Sequence, residues 1–260
     1  LNNNGFIVID GGAHLVLTNP NSNAINLLGS GGMTSSSHKY FAFPTIDGIE
    51  RFTYNDLDSL ITSIEKSPRE FYALVVEPLS ASSMIALSEE FIRKLVELCT
   101  KYEIILIFDE IFTGFNRTGS LFACDHEHIV PDIICVGKSM SGGYPISACV
   151  GKAEVMDGWP ESTGEALHTS TFLGNPVGCA MASASLDMHA SDEIAERVTA
   201  TGAKLEKELA KIDHPLVHEI RGRGLMLGVE LRHADGSPGG DVAGGVLADM
   251  LRRGIIMLAD

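Results

Sequence analysis

Basic residues are scarce in this 260-residue chain: 19 Lys and Arg stand against 34 Asp and Glu, for a net charge of −15. A surface of that sign repels a phosphate backbone, which argues against nucleic-acid binding. No basic amphipathic stretch suggests a membrane surface, and no apolar run is long enough to span a bilayer. Cysteine is sparse, odd in number and scattered (Cys99, Cys124, Cys135, Cys149, Cys179), without a Cys-x-x-Cys pair. That pattern argues against a zinc knuckle or a disulfide framework. The cysteines read instead as small buried apolar residues in a reducing, cytoplasmic setting. The chain opens Leu-Asn-Asn-Asn, with neither an initiator Met nor a signal-peptide pattern, and reads as a fragment or a processed chain.

What is present is ordinary globular material: 45% apolar and 20% charged residues. The first 50 residues are rich in Asn, Gly and Ser and read as loops, with short strands at 5–10 and 13–17. From about Asn55 the pattern sharpens. Leu57, Leu60, Ile61 and Ile64 repeat at three and four, which predicts an amphipathic helix over 56–66. Helices are also expected over 88–101, 176–190, 192–212 and 241–253. Continuous apolar runs at 73–76, 104–108 and 133–136 read as buried strands, with a fourth at 146–150. Further strands are expected at 216–220, 225–231 and 255–258, the first two joined by Arg221-Gly222-Arg223-Gly224. Apolar strands alternating with helices mean an α/β fold with a mostly parallel sheet covered on both faces. The division expected is a large domain over 1–185 and part of a smaller α+β domain over 186–260.

In such sheets ligands collect beyond the carboxyl ends of the strands. Three strands end there in a charged residue: Glu77, Asp109 and Lys138. Lys138 is followed by Ser139-Met140-Ser141-Gly142-Gly143, and Thr171 precedes Gly174-Asn175-Pro176 at the start of a helix. Five stretches stand out in order: EPL at Glu77, IFDEIFTGFNRTG around Asp109, PDIICVGKSMSGGYPISA around Lys138, HTSTFLGNPVGCA around Thr171, and RGRGLMLGVEL from Arg221.

These five, in this order, resemble the class III aminotransferases, the ornithine or ω-type subgroup of fold-type I enzymes that use pyridoxal 5'-phosphate (PLP). That chemistry needs an amine to hold the cofactor, a carboxylate to keep its ring nitrogen protonated, and donors for its phosphate. The resemblance implies that Lys138 is the Schiff-base lysine and proton carrier, and that Asp109 pairs with the ring nitrogen. It implies that Ile111 packs on one ring face. It also implies that Thr171 reaches the phosphate of a neighbouring subunit's cofactor, so that a homodimer shares its active sites. Glu77, Arg117 and the Arg221–Gly224 stretch are implied to be scaffold. The activity implied is transfer of an amino group between an amine or amino acid and a keto acid or aldehyde. An intramolecular amino shift on a semialdehyde, or a truncated homologue without catalysis, are the alternatives.

Several family features are absent. Gly29–Ser35 is glycine-rich, but no helical pattern follows it to make a phosphate loop. Ser37-His38-Lys39-Tyr40 does not match the stacking aromatic's motif, and the chain stops before a substrate-carboxylate arginine. Ser82 stands where ornithine- and γ-aminobutyrate-type members carry a glutamate, and Phe112 where many carry a glutamine. An ornithine-like substrate is therefore not implied. A nucleotide-binding P-loop is a poor match to Gly137-Lys138-Ser139, because position 132 is aspartate where the loop needs glycine. The stretch Cys124-Asp125-His126-Glu127-His128 has metal-friendly side chains, but neighbours along an extended chain point to opposite sides, and it reads as a solvated loop. No metal site is expected.

Overall fold

Four strands form the sheet that positions everything else: β4 (Ala73–Val76), β5 (Ile105–Asp109), β6 (Ile133–Val136) and β7 (Ala148–Gly151), hydrogen-bonded in that order. They belong to a computed structural model that describes residues 7–10, 14–17, 25–28, 53–68, 71–158, 164 and 173–259. The pairs β4–β5 and β5–β6 are parallel, and β7 closes the edge antiparallel to β6. The α/β sheet is thus mostly parallel, as expected, with one antiparallel edge strand.

Because successive side chains point to opposite faces, the sheet divides cleanly. Leu74, Leu106 and Phe108 face α1 (Leu57–Lys66) and α2 (Glu89–Tyr102), which bring Leu60, Ile64, Phe91, Leu95 and Leu98 into one core. Burying a side chain such as Phe108 stabilises the fold by about 1.5–3 kcal/mol. Ile107, Ile133 and Cys135 face the other way, with Ala73, Val75, Ile105, Ile111, Cys149 and Val155 packed around them.

The helices begin where side chains can take up their unpaired amides. Asp56 accepts from the Ser59 amide at 3.0 Å, and Ser88 accepts from the Phe91 amide at 3.2 Å. Glu89 and Glu90 lie in the first turn of α2, where the helix dipole favours negative charge. After the short α3 (Ala153–Met156), α4 (Pro176–His189) carries proline in its first turn, and Ser191 caps α5 (Asp192–Leu209). The boundary expected after residue 185 falls inside α4.

Strands β8 (Val217–Arg223) and β9 (Met226–Leu231) form an antiparallel hairpin, followed by α6 (Gly240–Arg252). The joint expected at 221–224 is mostly strand, and the chain reverses only at Gly224-Leu225. Gly222 permits this with φ of 135°, where an added Cβ would lie 2.0 Å from the Met226 carbonyl oxygen. The hairpin docks through main chain. An added Cβ on Gly224 would lie 2.6 Å from the Thr118 carbonyl carbon, and one on Gly202 of α5 would lie 2.2 Å from the Gly224 oxygen. The Leu225 amide donates to the Arg117 carbonyl at 3.0 Å.

The strand expected at 255–258 does not form. The segment is exposed, and no strand among the described residues offers it ladder partners. In the first 50 residues, β1 (Ile7–Asp10) and β2 (His14–Leu17) match the expected strands, and a third, β3 (Ile25–Leu28), pairs antiparallel with β2.

Candidate active site

The carboxyl ends of the central strands carry one row of polar side chains. Register pairs Asp109 with Cys135 across β5 and β6, and Cys135 with Cys149 across β6 and β7. Glu77, the residue after β4, continues the register opposite Asp109. Register partners point to the same face, so Glu77, Asp109, Cys135 and Cys149 share one side of the sheet. Lys138 lies two residues past β6, at the start of a 3-10 turn over Lys138–Ser141, and its charge is felt at both Asp109 and Glu77.

Lys138 has φ of 46°, the left-handed region that side-chain-bearing residues rarely adopt. Such strain gathers at functional sites, where the surrounding structure holds it. The residue is exposed at its edge, but its Nζ sits 3.4 Å from the centroid of the Phe112 ring. Partial burial lowers the ammonium's pKa, against the opposing pull of Asp109 and Glu77. Among the described residues the amine has no hydrogen bond or ion pair.

Asp109 is half-buried. One oxygen, Oδ1, accepts from the Ile111 amide at 3.0 Å. Among the described residues Oδ2 has no hydrogen-bond partner. Burial raises the carboxyl's pKa, and the Ile111 amide and Lys138 work against it. Ile111 stands two residues after Asp109, and its Cγ2 lies 3.8 Å from where a Cβ on Gly137 would be. Asp109, Ile111 and Lys138 are therefore neighbours. Thr171 lies outside the described residues, as do Gly29–Ser35 and 37–40. The helix start expected to serve Thr171 is already capped: Asn175 Oδ1 accepts from Val177 at 3.0 Å, from Gly178 at 3.2 Å and from the Tyr144 hydroxyl at 3.2 Å.

Some residues do more than their sequence reading suggested. Glu77 was expected to be scaffold, yet it stands in the charged row. Its Oε2 accepts from the Ala81 amide at 2.7 Å, and burial first, then Asp109's charge, push its pKa up to about 7. Tyr54 donates to the Glu77 carbonyl at 3.1 Å, and its own ionisation is driven up by burial and the two carboxylates. Glu110 is fully buried and accepts from the Ala123 amide at 2.9 Å, the Cys124 amide at 2.8 Å and the Thr113 hydroxyl. It pins the chain that leaves Asp109. The signal that could have raised Glu77 was its place at a strand end level with Asp109.

Beside Lys138 is a cavity of about 600 Å³, lined by Phe115, Asn116, Arg117, Ser139, His189 and Leu225 among others. Asn116 Nδ2 donates to the His189 carbonyl at 2.7 Å. An added Cβ at Gly142 or Gly143 would meet nothing within 4 Å, so the turn after Lys138 borders open space. No group of three or more metal-ligating side chains occurs among the described residues. His126 contacts Thr118 Oγ1 at 3.0 Å and Ser120 Oγ at 3.3 Å. No described helix is long and apolar enough to cross a membrane.

Comparison with known proteins gives a consistent result. The family model described as aminotransferase class-III matches residues 28–259. An ornithine aminotransferase of Brevibacillus brevis is 37% identical over 193 residues, covering 74% of this chain and 47% of that protein. Ornithine aminotransferase 1 of Staphylococcus aureus is 33% identical, covering 97% of this chain and 63% of that protein. Among solved structures, the ornithine aminotransferase of Toxoplasma gondii superposes with a TM-score of 0.72 at 35% identity, over 82% of this chain and 49% of that one. The chain thus spans about half to three-fifths of the length of these relatives.

Proposed function

The chain belongs to the class-III aminotransferase family and has its fold-type I architecture, and from that premise we propose that it is the PLP-binding part of an aminotransferase. The proposed reaction moves an amino group from an amine or amino acid to a keto acid or aldehyde. The observation that carries the reading is the pairing of an uncommitted amine with an uncommitted carboxylate oxygen at adjacent strand ends. Among the described residues Lys138 Nζ makes no hydrogen bond or ion pair beyond its contact with the Phe112 ring, its pKa is lowered, and Asp109 Oδ2 has no hydrogen-bond partner. This donor set fits PLP: an amine to bind its carbonyl carbon and an acceptor for its protonated ring nitrogen.

When bound, PLP supplies an electron sink for charge developing on the carbon that bears the amino group. Lys138 Nζ would hold the cofactor and would take up and return the proton at its own nitrogen. Partial burial lowers its pKa, the direction that favours the neutral amine able to take a proton. Asp109 would keep the ring nitrogen charged, with the Ile111 amide fixing its other oxygen. The Ile111 side chain would pack on the ring, and Thr171 would reach the phosphate of a second subunit's cofactor, so that the working form would be a homodimer. We place the domain division after α4 rather than inside it. The five free thiols fit a reducing cytoplasm.

The ornithine named in the relatives is theirs. Ser82, whose Oγ lies 3.2 Å from that of Ser80, supplies no carboxylate to gate a substrate arginine. The amino donor is therefore open, and a panel of donors tests it. Release of a keto product with conversion of the cofactor to its amine form supports transamination, whereas a rearranged substrate without released product supports the amino shift. The site itself is tested by loading the chain with PLP, reducing with borohydride and mapping the labelled peptide. Label on Lys138, lost in Lys138→Ala, is the expected result. The same label surviving in Lys138→Ala would sink the assignment.

A further inference from the structure

We propose that Cys135 and Cys149 form a redox-active dithiol that closes into a disulfide across β6 and β7 on exchange with a small disulfide. All five cysteines are free thiols, but these two are direct register partners on antiparallel strands. Opposed residues in such a pair have Cα atoms about 4.5–5.5 Å apart. That span lies within the range of about 4.4–6.8 Å that a disulfide bridges, so the bond forms without moving the strands. The two side chains lie in one cluster: Cys135 is part of the Ile107–Ile133 core, and Cys149 packs against it.

The pair is built asymmetrically. Cys135 is buried and Cys149 is half-buried at the sheet edge, so only Cys149 meets a reagent from solution. Burial disfavours the Cys135 thiolate, which leaves the more exposed Cys149 as the sulfur that ionises and reacts first. The outer sulfur is thus the nucleophile and the inner one resolves the intermediate, the order that exchange chemistry needs. Cys149 thiolate attacks one sulfur of the reagent and releases one thiolate, which takes up a proton. Cys135 then gives up its proton, and its sulfur displaces the second reagent thiol from Cys149. Two protein S–H bonds and the reagent's S–S bond are exchanged for one protein S–S bond and two reagent S–H bonds. The protein loses two electrons and the reagent gains them.

The bond would form in the same row as Asp109, whose charge is felt at Cys135. Under the proposed function, oxidation would therefore reach the carboxylate that holds the cofactor. Only this consequence rests on that reading, and the chemistry of the pair does not.

The test uses a Cys179→Ser chain, because Cys179 is exposed and would react first. The chain is treated with hydroxyethyl disulfide, with and without bound PLP, and digested with trypsin. The expected result is that titratable thiols fall from four to two, that peptides 118–138 and 139–152 are joined between Cys135 and Cys149, and that dithiothreitol reverses both changes. In a Cys135→Ala chain the reagent should instead remain as a stable mixed disulfide on Cys149. The proposal is overturned if Cys149 carries that mixed disulfide while Cys135 stays a thiol, if Cys124 is the linked partner, or if neither thiol reacts. The cross-link in PLP-free protein speaks to this proposal alone, since it needs no cofactor site.

Discussion

Replacing Glu77 by glutamine removes a charge from the strand-end row and keeps an oxygen to accept from the Ala81 amide. The carboxyl titrates at about 7 in the folded chain against 4.5 in its ordinary state, chiefly through burial and then through Asp109. A tenfold change in acidity corresponds to about 1.4 kcal/mol, so holding Glu77 ionised destabilises the fold by about 3 kcal/mol at most. A carboxyl with a raised folded-state pKa contributes full stability in its protonated form below pH 4.5. That contribution is lost as the pH rises through about 7. Glu77→Gln, which never ionises, should therefore be the more stable protein at pH 8 by about 2–3 kcal/mol, and the gain should shrink to about 1 kcal/mol or less near pH 5. Urea unfolding of cofactor-free wild type and variant at the two pH values measures this directly. A variant less stable at pH 8, or an equal difference at both pH values, would refute the burial argument and with it the placement of Glu77 beside Asp109.

Asp109→Asn should move the pH midpoint of Lys138 labelling by an amine-selective reagent downward, because the carboxylate is the main group raising that pKa. An unchanged midpoint would mean that the two groups do not sense each other. Glu110→Ala strands two buried amides and a hydroxyl and should cost about 3 kcal/mol or more in urea, with Glu110→Gln in between. Gly202→Ala forces a methyl group against the Gly224 carbonyl and should lower stability by about 1–3 kcal/mol despite alanine's better helix propensity, seen as a lower melting temperature. A neutral or stabilised variant would contradict the close packing of α5 on the hairpin.

The strand ends were legible because ALVV, IILIF and IICV are unbroken apolar runs that each stop at or just before a charged residue. Nothing in those runs says which residues stand level with each other, so the row from Glu77 to Cys149 emerged only from the register. The direction of β7 was equally hidden, because four residues reading ACVG look the same in either orientation. Glu110 lies beside Asp109 in sequence, yet the amides it satisfies come 13 and 14 residues later. The run 255–258 was misread because its apolar character predicts burial, while a strand also requires a neighbour. Gly202 stands inside α5 because the Gly224 backbone lies against it.

That contact divides the walls of the cavity beside Lys138 into two kinds. On one side Arg117 and Leu225 are tied by their own main-chain hydrogen bond, next to the point where Gly224 rests on Thr118. The second kind is Ile194 and Val198, which line it from α5. An engineer seeking to admit a bulkier molecule would gain little by trimming the first wall, whose position is set by backbone. Ile194 and Val198 are the adjustable panels, and shortening either enlarges the chamber without unfastening the hairpin.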